Sequence, residues 1–141
     1  MTEKQLARGF ERLVREAEVV YGPLSVALVL WDPTAFPKKR NYAFCSNPLY
    51  GAEYGAQRGC CAICVAPKIL QAETSRALGL LMHEIGHAID FQKTPDHPLH
   101  GTERRADQLA EGIWNVRIRY DGDMVQSTCC GVYPRPPELG L

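Results

Sequence analysis

The chain has 141 residues, 16 basic and 16 acidic side chains, and 45% hydrophobic residues. This length and composition are typical of one globular domain and exclude a disordered or fibrous protein. Because the net charge is zero and no apolar run could span a bilayer, we expect neither nucleic-acid binding nor membrane insertion.

The first half of the sequence predicts one helix and three strands. Residues 3–20 place apolar side chains at three- and four-residue spacing, which is typical of an amphipathic helix. Ser25–Trp31 reads as a buried strand, Asn41–Ser46 as a second strand and Cys60–Ala66 as a third. Because Pro67 ends the third strand and lacks a backbone N–H, we expect that strand at a sheet edge.

The second half predicts two helices and a tail. The first of these helices covers Thr74–Gln92, where Gly79 and Gly86 would lower its intrinsic stability or let another element approach closely. Thr102 is a predicted N-cap for a helix that runs to about Arg119. A proline-rich tail follows at residues 134–141.

Strands and helices are segregated along the chain, which favours an α+β fold over a doubly wound sheet. The predicted architecture has an N-terminal helix, a small and mostly antiparallel three-stranded sheet, and two C-terminal helices. Residues 1–133 would form a single domain, and residues 134–141 an extended tail.

The segment His83-Glu84-Ile85-Gly86-His87 carries the chemistry in this sequence. Residues four apart on a helix lie on one face, so both imidazoles can reach one metal ion. Glu84 directly follows the first histidine, so its carboxylate would lie beside the ion, where a general base for an activated water is needed.

A catalytic zinc ion normally has three protein ligands, so the third must come from elsewhere. Glu103, in the first turn of the following helix, is the leading candidate, and Asp107 one turn later would accept the spare N–H of a histidine ligand. His97 and His100 are rival ligands or groups at the rim of the site. Asp90 is either a further supporting carboxylate or a charge on the helix surface.

The HEIGH motif followed by Glu103-Arg-Arg-Ala-Asp107 resembles the gluzincin type of zincin metallopeptidase. The short chain is similar to the single-domain minigluzincins and to small zincins of phages and prokaryotes. The resemblance implies a zincin-like fold in which His83, His87 and Glu103 bind Zn²⁺. It also implies that Glu84 is the general base and that Asp107 supports a histidine.

The resemblance also concerns the substrate. It implies that an extended peptide lies antiparallel along an edge strand near Ile63–Ala66. The longer zincin signature has a third histidine six residues after the second. Lys93 occupies that position here, which argues against the metzincin branch. No single residue matches the family's group that stabilises the oxyanion of the transition state. The candidates are Tyr54, His97, His100 and Tyr120.

Together these features predict a zinc metalloendopeptidase with one catalytic Zn²⁺, a peptide or protein substrate, an open groove and a monomeric state. One alternative is a catalytically weak zincin-fold module that binds metal and peptide for regulation. Another is a structural protein whose histidines bind no metal.

The six cysteines leave several alternatives open. Cys61 and Cys64 have the spacing of half a structural zinc site, which Cys129 and Cys130 could close. Disulfides between the third strand and the C-terminal segment, reduced buried thiols, or a tail thiolate on the catalytic metal are the other possibilities. Since residues 1–18 contain no apolar leader segment, we expect a cytoplasmic protein or one whose leader has been removed.

Overall fold

A computed structural model describes residues 1–30, 43–120 and 130–134 of the chain, so Trp31, Cys129 and the tail from residue 135 lie outside it. The fold is α+β, as predicted. None of the helices in the described ranges has the length and apolar character needed to cross a membrane. The elements in chain order are α1 (Glu3–Tyr21), β1 (Val26–Leu30), β2 (Ala43–Cys45), a 3₁₀ helix (Pro48–Tyr54), β3 (Cys61–Val65), a second 3₁₀ helix (Pro67–Gln71), α2 (Thr74–Lys93), α3 (Glu103–Trp114), β4 (Val116–Tyr120) and β5 (Cys130–Pro134).

Helix α1 forms where the apolar periodicity predicts it. Thr2 and Gln5 close a capping box: the Thr2 N–H donates to Gln5 Oε1 at 2.8 Å, and the Gln5 N–H donates to Thr2 Oγ1 at 3.1 Å. The buried stripe of α1 packs into the core and consists of Leu6, Phe10, Leu13 and Ala17. This helix covers one side of α2 and so helps to fix the helix that carries the histidines.

The main sheet is mixed, not mostly antiparallel as predicted. Its strand order is β1-β3-β2. Strand β1 runs parallel to β3, from the pair Val26–Cys61 to the pair Leu30–Val65, whereas β2 is antiparallel to β3. The parallel pair requires a long connection from β1 to β3.

Strand β3 is the central strand, so the prediction of an edge strand at Cys60–Ala66 was wrong. Pro67 removes only its own N–H, and β3 already ends at Val65, so the proline leaves both edges of the strand able to pair. All five residues of β3 are buried. Its uninterrupted run of apolar and cysteine side chains is typical of a strand covered on both faces.

Helix α3 is shorter than predicted and is followed by a strand. It ends at Trp114, and Asn115 caps it in the left-handed conformation at φ 52°, with its N–H bonded to the carbonyl of Glu111. The remainder of the predicted helix is β4, which pairs antiparallel with β5. Pro134, assigned to the tail from sequence, is the last residue of β5.

Helix α2 lies at the centre of the fold, between α1, α3 and the main sheet. Gly86 allows α3 to come close, because a Cβ atom at this position would be 2.4 Å from the carbonyl oxygen of Ala106. The expectation that a glycine permits close approach is therefore confirmed at Gly86. The tight contact places the N-terminal turns of α3 directly over the HEIGH motif.

Candidate metal centre

Three potential metal ligands converge where α2 and α3 are in contact. His83 Nε2 lies 2.6 Å from Glu103 Oε2, and His87 Nε2 lies 3.2 Å from Glu103 Oε1. The three ligand atoms are all within 4.8 Å of one another. Donors on a tetrahedral Zn²⁺ are about 3.3 Å apart, since the bonds are about 2 Å long. Small side-chain movements would therefore convert this group into a three-ligand metal site.

Asp107 holds His83 from the opposite side of the ring. Its Oδ1 lies 2.7 Å from His83 Nδ1. In the neutral form of His83 that a metal ion requires, the carboxylate favours the tautomer with the proton on Nδ1, which leaves the lone pair on Nε2 available to the ion. The structure thus brings Asp107 into the supporting position proposed for it from sequence.

The site strongly favours a positive charge. Burial acts to lower the pKa of His83, but its hydrogen bonds to Asp107 and Glu103 outweigh burial and raise the pKa to about 10. The same contacts to His83 and His87 hold the pKa of the Glu103 carboxyl far below its ordinary value. Either a protonated His83 imidazole or a bound metal ion can supply the positive charge that these carboxylates favour. Metal binding would therefore release the proton from His83.

Glu84 is almost fully buried beside the ligand group. Its side chain is 6% exposed, and its Oε1 lies 3.9 Å from His83 Nε2. Its Oε2 is buried and has no hydrogen-bond partner among the described residues. Burial raises the pKa of Glu84, an effect that the two nearby histidines oppose. A buried carboxylate with an unsatisfied oxygen is costly for stability, which makes it a candidate for a functional role.

Among the described residues, the three potential ligands differ in their exposure to solvent. The side chains of His83 and His87 are 2% and 10% exposed, whereas that of Glu103 is 55% exposed. The two imidazoles are thus fixed in the protein interior, and the glutamate lines the solvent side.

The rival ligands lie outside this group. His97 Nδ1 accepts the N–H of Leu99, and His100 Nδ1 is 2.9 Å from Asp90 Oδ1. The rings of His100 and Phe91 form a T-shaped, edge-to-face contact. Within the described ranges, neither histidine belongs to a group that could hold a metal. The backbone of Tyr120 lies at the end of β4, and its role at the rim of the site, like those of His97 and His100, stays a prediction.

Asp90 is a residue whose importance sequence analysis understated. It is fully buried, so it is not the helix-surface charge considered above. Its burial could have been inferred from the sequence, because Asp90 lies between Ile89 and Phe91 in an apolar stretch. A buried carboxylate without polar partners would be strongly unfavourable, so such partners were to be expected.

The Cys61–Cys64 pair does not form half of a metal site, contrary to the possibility raised from sequence. Both residues lie in β3, where side chains three positions apart point to opposite faces of the sheet. Cys61 Sγ accepts a hydrogen bond from Gln92 at 3.2 Å, and burial raises the pKa of Cys64 to about 12. Within the described part of the chain, no disulfide joins Cys45, Cys60, Cys61 or Cys64 to another cysteine.

Comparison of the chain with protein-family models, with curated proteins and with solved structures found no match.

Proposed function

We propose that the chain is a zinc-dependent metallopeptidase with a zincin-like, gluzincin-type site. The observation that carries this proposal is the convergence of His83, His87 and Glu103 next to the buried carboxylate of Glu84. Two imidazole nitrogens and one carboxylate oxygen are the ligand set of many catalytic zinc sites. The unpartnered oxygen of Glu84 suits a group that receives a proton from a substrate water.

A bound zinc ion would supply Lewis acidity, which makes water a nucleophile at neutral pH and polarises the carbonyl group of a peptide. The residues of the chain perform the other tasks. Glu84 removes a proton from the attacking water and donates it to the leaving amine. Asp107 keeps His83 in one orientation and tautomer, and the burial of both histidines keeps their rings fixed during the reaction.

The substrate of this proposal is an extended peptide, but it cannot pair with β3 as the family resemblance implied. Both edges of β3 are already occupied, by β1 and β2. Among the described strands of this sheet, the edges belong to β1 and β2. Strand β2 carries Cys45. The pKa of its thiol is raised first by the hydrogen bond to Cys61 and by burial, and also by the nearby carboxylate of Glu84. We therefore expect a peptide to align with β2.

Replacing Glu84 with glutamine tests the proposal. The variant Glu84→Gln keeps the shape of the side chain but removes its ability to accept and return a proton. General acid–base groups contribute about 10²–10⁴-fold to rate, so hydrolysis of a quenched fluorescent peptide should fall by at least 10²-fold while zinc stays bound. The matched control is Glu73→Gln, an exposed carboxylate just before the same helix, which should hydrolyse at the wild-type rate.

Two results would contradict the proposal. If Glu84→Gln hydrolysed peptides as fast as the wild type, Glu84 would not be the general base. If wild-type protein bound zinc but cleaved no member of a broad panel of unstructured peptides, the chain would be a metal-binding module of the alternative kind.

A further inference from the structure

Asp90 is a buried carboxylate that the proposed chemistry does not use. Its side chain is 0% exposed, yet it has several polar partners. Its Oδ2 accepts the N–H of Gly101 at 2.7 Å. Its Oδ1 accepts the hydroxyl of Thr94 at 2.9 Å and faces His100 Nδ1 at 2.9 Å. Arg105 Nε lies 4.0 Å from the same oxygen.

These partners all come from the segment that joins α2 to α3 or from the start of α3. Thr94 is the C-cap of α2, and Gly101 directly precedes Thr102, the N-cap of α3. A single carboxylate on α2 therefore fixes both ends of the connection. Glu103 is the first residue of α3, so the position of its backbone relative to α2 depends on this arrangement.

The charge of Asp90 suits this role. Burial acts to raise its pKa, but hydrogen bonds from Gly101, His100 and Thr94 outweigh burial and hold the pKa below its ordinary value. The carboxylate is therefore ionised at neutral pH, and hydrogen bonds to an ionised acceptor are stronger than those between neutral groups.

We propose that Asp90 is a positioning residue for Glu103: by anchoring residues 94–102, it holds the third ligand at bonding distance from His83 and His87. The inference rests on the metal site of the proposed function but not on peptide hydrolysis. Asp90 touches none of the three ligands in the described contacts, so its effect would pass through the backbone of the connection. Removal of supporting groups around metal ligands commonly weakens metal binding by about 10–100-fold.

The backbone of Gly101 offers a test that leaves every side chain of the site unchanged. Gly101 has φ +82°, a conformation that disfavours other residues, and its N–H is a direct partner of Asp90. Gly59, in the turn before β3, has φ +86°. Both glycines are exposed, and no described atom lies within 4 Å of a Cβ atom added at either one. Gly59→Ala is therefore a matched control for Gly101→Ala, with the same backbone strain and no link to Asp90.

The experiment measures three quantities for wild type, Gly101→Ala and Gly59→Ala. These are the melting temperature without metal, the Zn²⁺ dissociation constant by chelator competition, and the visible absorption spectrum with Co²⁺. We expect the melting temperatures of both variants to fall by similar amounts. Only Gly101→Ala should bind Zn²⁺ at least tenfold more weakly and change the Co²⁺ spectrum, which reports the arrangement of the ligands.

Asp90→Asn provides a second variant, which keeps the shape but removes the charge. Asp90→Asn should also weaken Zn²⁺ binding. The double variant with Gly101→Ala should bind Zn²⁺ only slightly more weakly than either single variant, because both changes disrupt the same contacts. If Gly101→Ala and Asp90→Asn bound Zn²⁺ with wild-type affinity and spectrum, Asp90 would serve stability alone and the inference would be wrong. Absence of Zn²⁺ binding by the wild type would overturn both proposals, whereas bound metal without hydrolysis would overturn only the enzymatic one.

Discussion

The substitution Gly86→Ala tests the contact on which the geometry of the site depends. Gly86 lies between the two histidines of α2, on the side that faces α3. The added Cβ would be 2.4 Å from the carbonyl oxygen of Ala106 and 3.1 Å from its Cα. Carbon and oxygen atoms in close contact are usually 3.3–3.6 Å apart. The two helices would therefore have to separate by about 1 Å.

The expected loss of stability follows from two opposing effects. Replacing glycine with alanine inside a helix is favourable by about 1 kcal/mol. Overpacking a filled interior typically costs about 1–3 kcal/mol, and the upper end applies here because the obstructing atom belongs to the backbone and cannot rotate away. We expect a net decrease of about 2 kcal/mol in the free energy of unfolding.

Metal affinity should fall as well, and by more than the change in stability alone explains. Metal–ligand distances tolerate deviations of only about 0.2 Å, whereas the separation moves Glu103 on α3 away from the histidines on α2 by about 1 Å. We therefore expect Zn²⁺ binding to weaken at least tenfold. Urea denaturation without metal and chelator competition measure the two effects separately.

Gly112→Ala is the matched control on α3. Gly112 is exposed, and no described atom lies within 4 Å of its added Cβ, so only the helix propensity changes. The free energy of unfolding of this variant should increase by up to about 1 kcal/mol, and its Zn²⁺ affinity should equal that of the wild type. If Gly86→Ala also gained stability and kept wild-type affinity, the close approach of α2 and α3 would be refuted.

Three further predictions concern the acidic residues around the site. Glu84→Gln should stabilise the metal-free protein by about 1 kcal/mol in thermal unfolding, because it replaces a buried carboxylate whose Oε2 has no partner among the described residues; a loss of stability would contradict this account. Asp107→Ala should weaken Zn²⁺ binding by about 10–100-fold in chelator competition, since it frees the ring of His83, whereas unchanged affinity would show that the contact is dispensable. Folding lowers the pKa of Asp90, so the ionised carboxylate stabilises the folded protein. This contribution is complete above the unfolded pKa of about 3.9 and is lost as the pH falls through the folded pKa. The difference in unfolding free energy between wild type and Asp90→Asn should therefore narrow in acid, and a constant difference between pH 7 and pH 2 would argue against an ionised Asp90.

The helices and the HEIGH motif could be predicted because their signals are local. The apolar spacing of α1 and α2 reports which face each helix buries, and residues four apart on α2 must share a face. Glu103 was predictable only as a candidate ligand, since its placement depends on the path of residues 94–102, which contact Asp90 in the structure. Those contacts join residues 4 to 11 positions apart, and no pattern of residue types indicates them.

The strand arrangement was predicted less well because pairing is not local. The position of β3 at the centre of the sheet depends on partners far away in sequence, although its uninterrupted apolar run was a usable sign of burial on both faces. The end of α3 was missed despite two local signals. Asn115 is a common residue at a left-handed helix C-cap, and the alternation in Val-Arg-Ile-Arg-Tyr is typical of a strand.

Metal stoichiometry, measured by elemental mass spectrometry on protein purified without added metal, tests the central claim most directly. We predict one zinc ion per chain in the wild type and in His97→Ala, whose ring lies outside the ligand group, and none in His83→Ala. Circular dichroism would verify that the His83→Ala variant keeps its helices. If neither the purified nor the reconstituted wild type retained zinc or another transition metal, the convergence of His83, His87 and Glu103 would not be a metal site and the metallopeptidase proposal would fail.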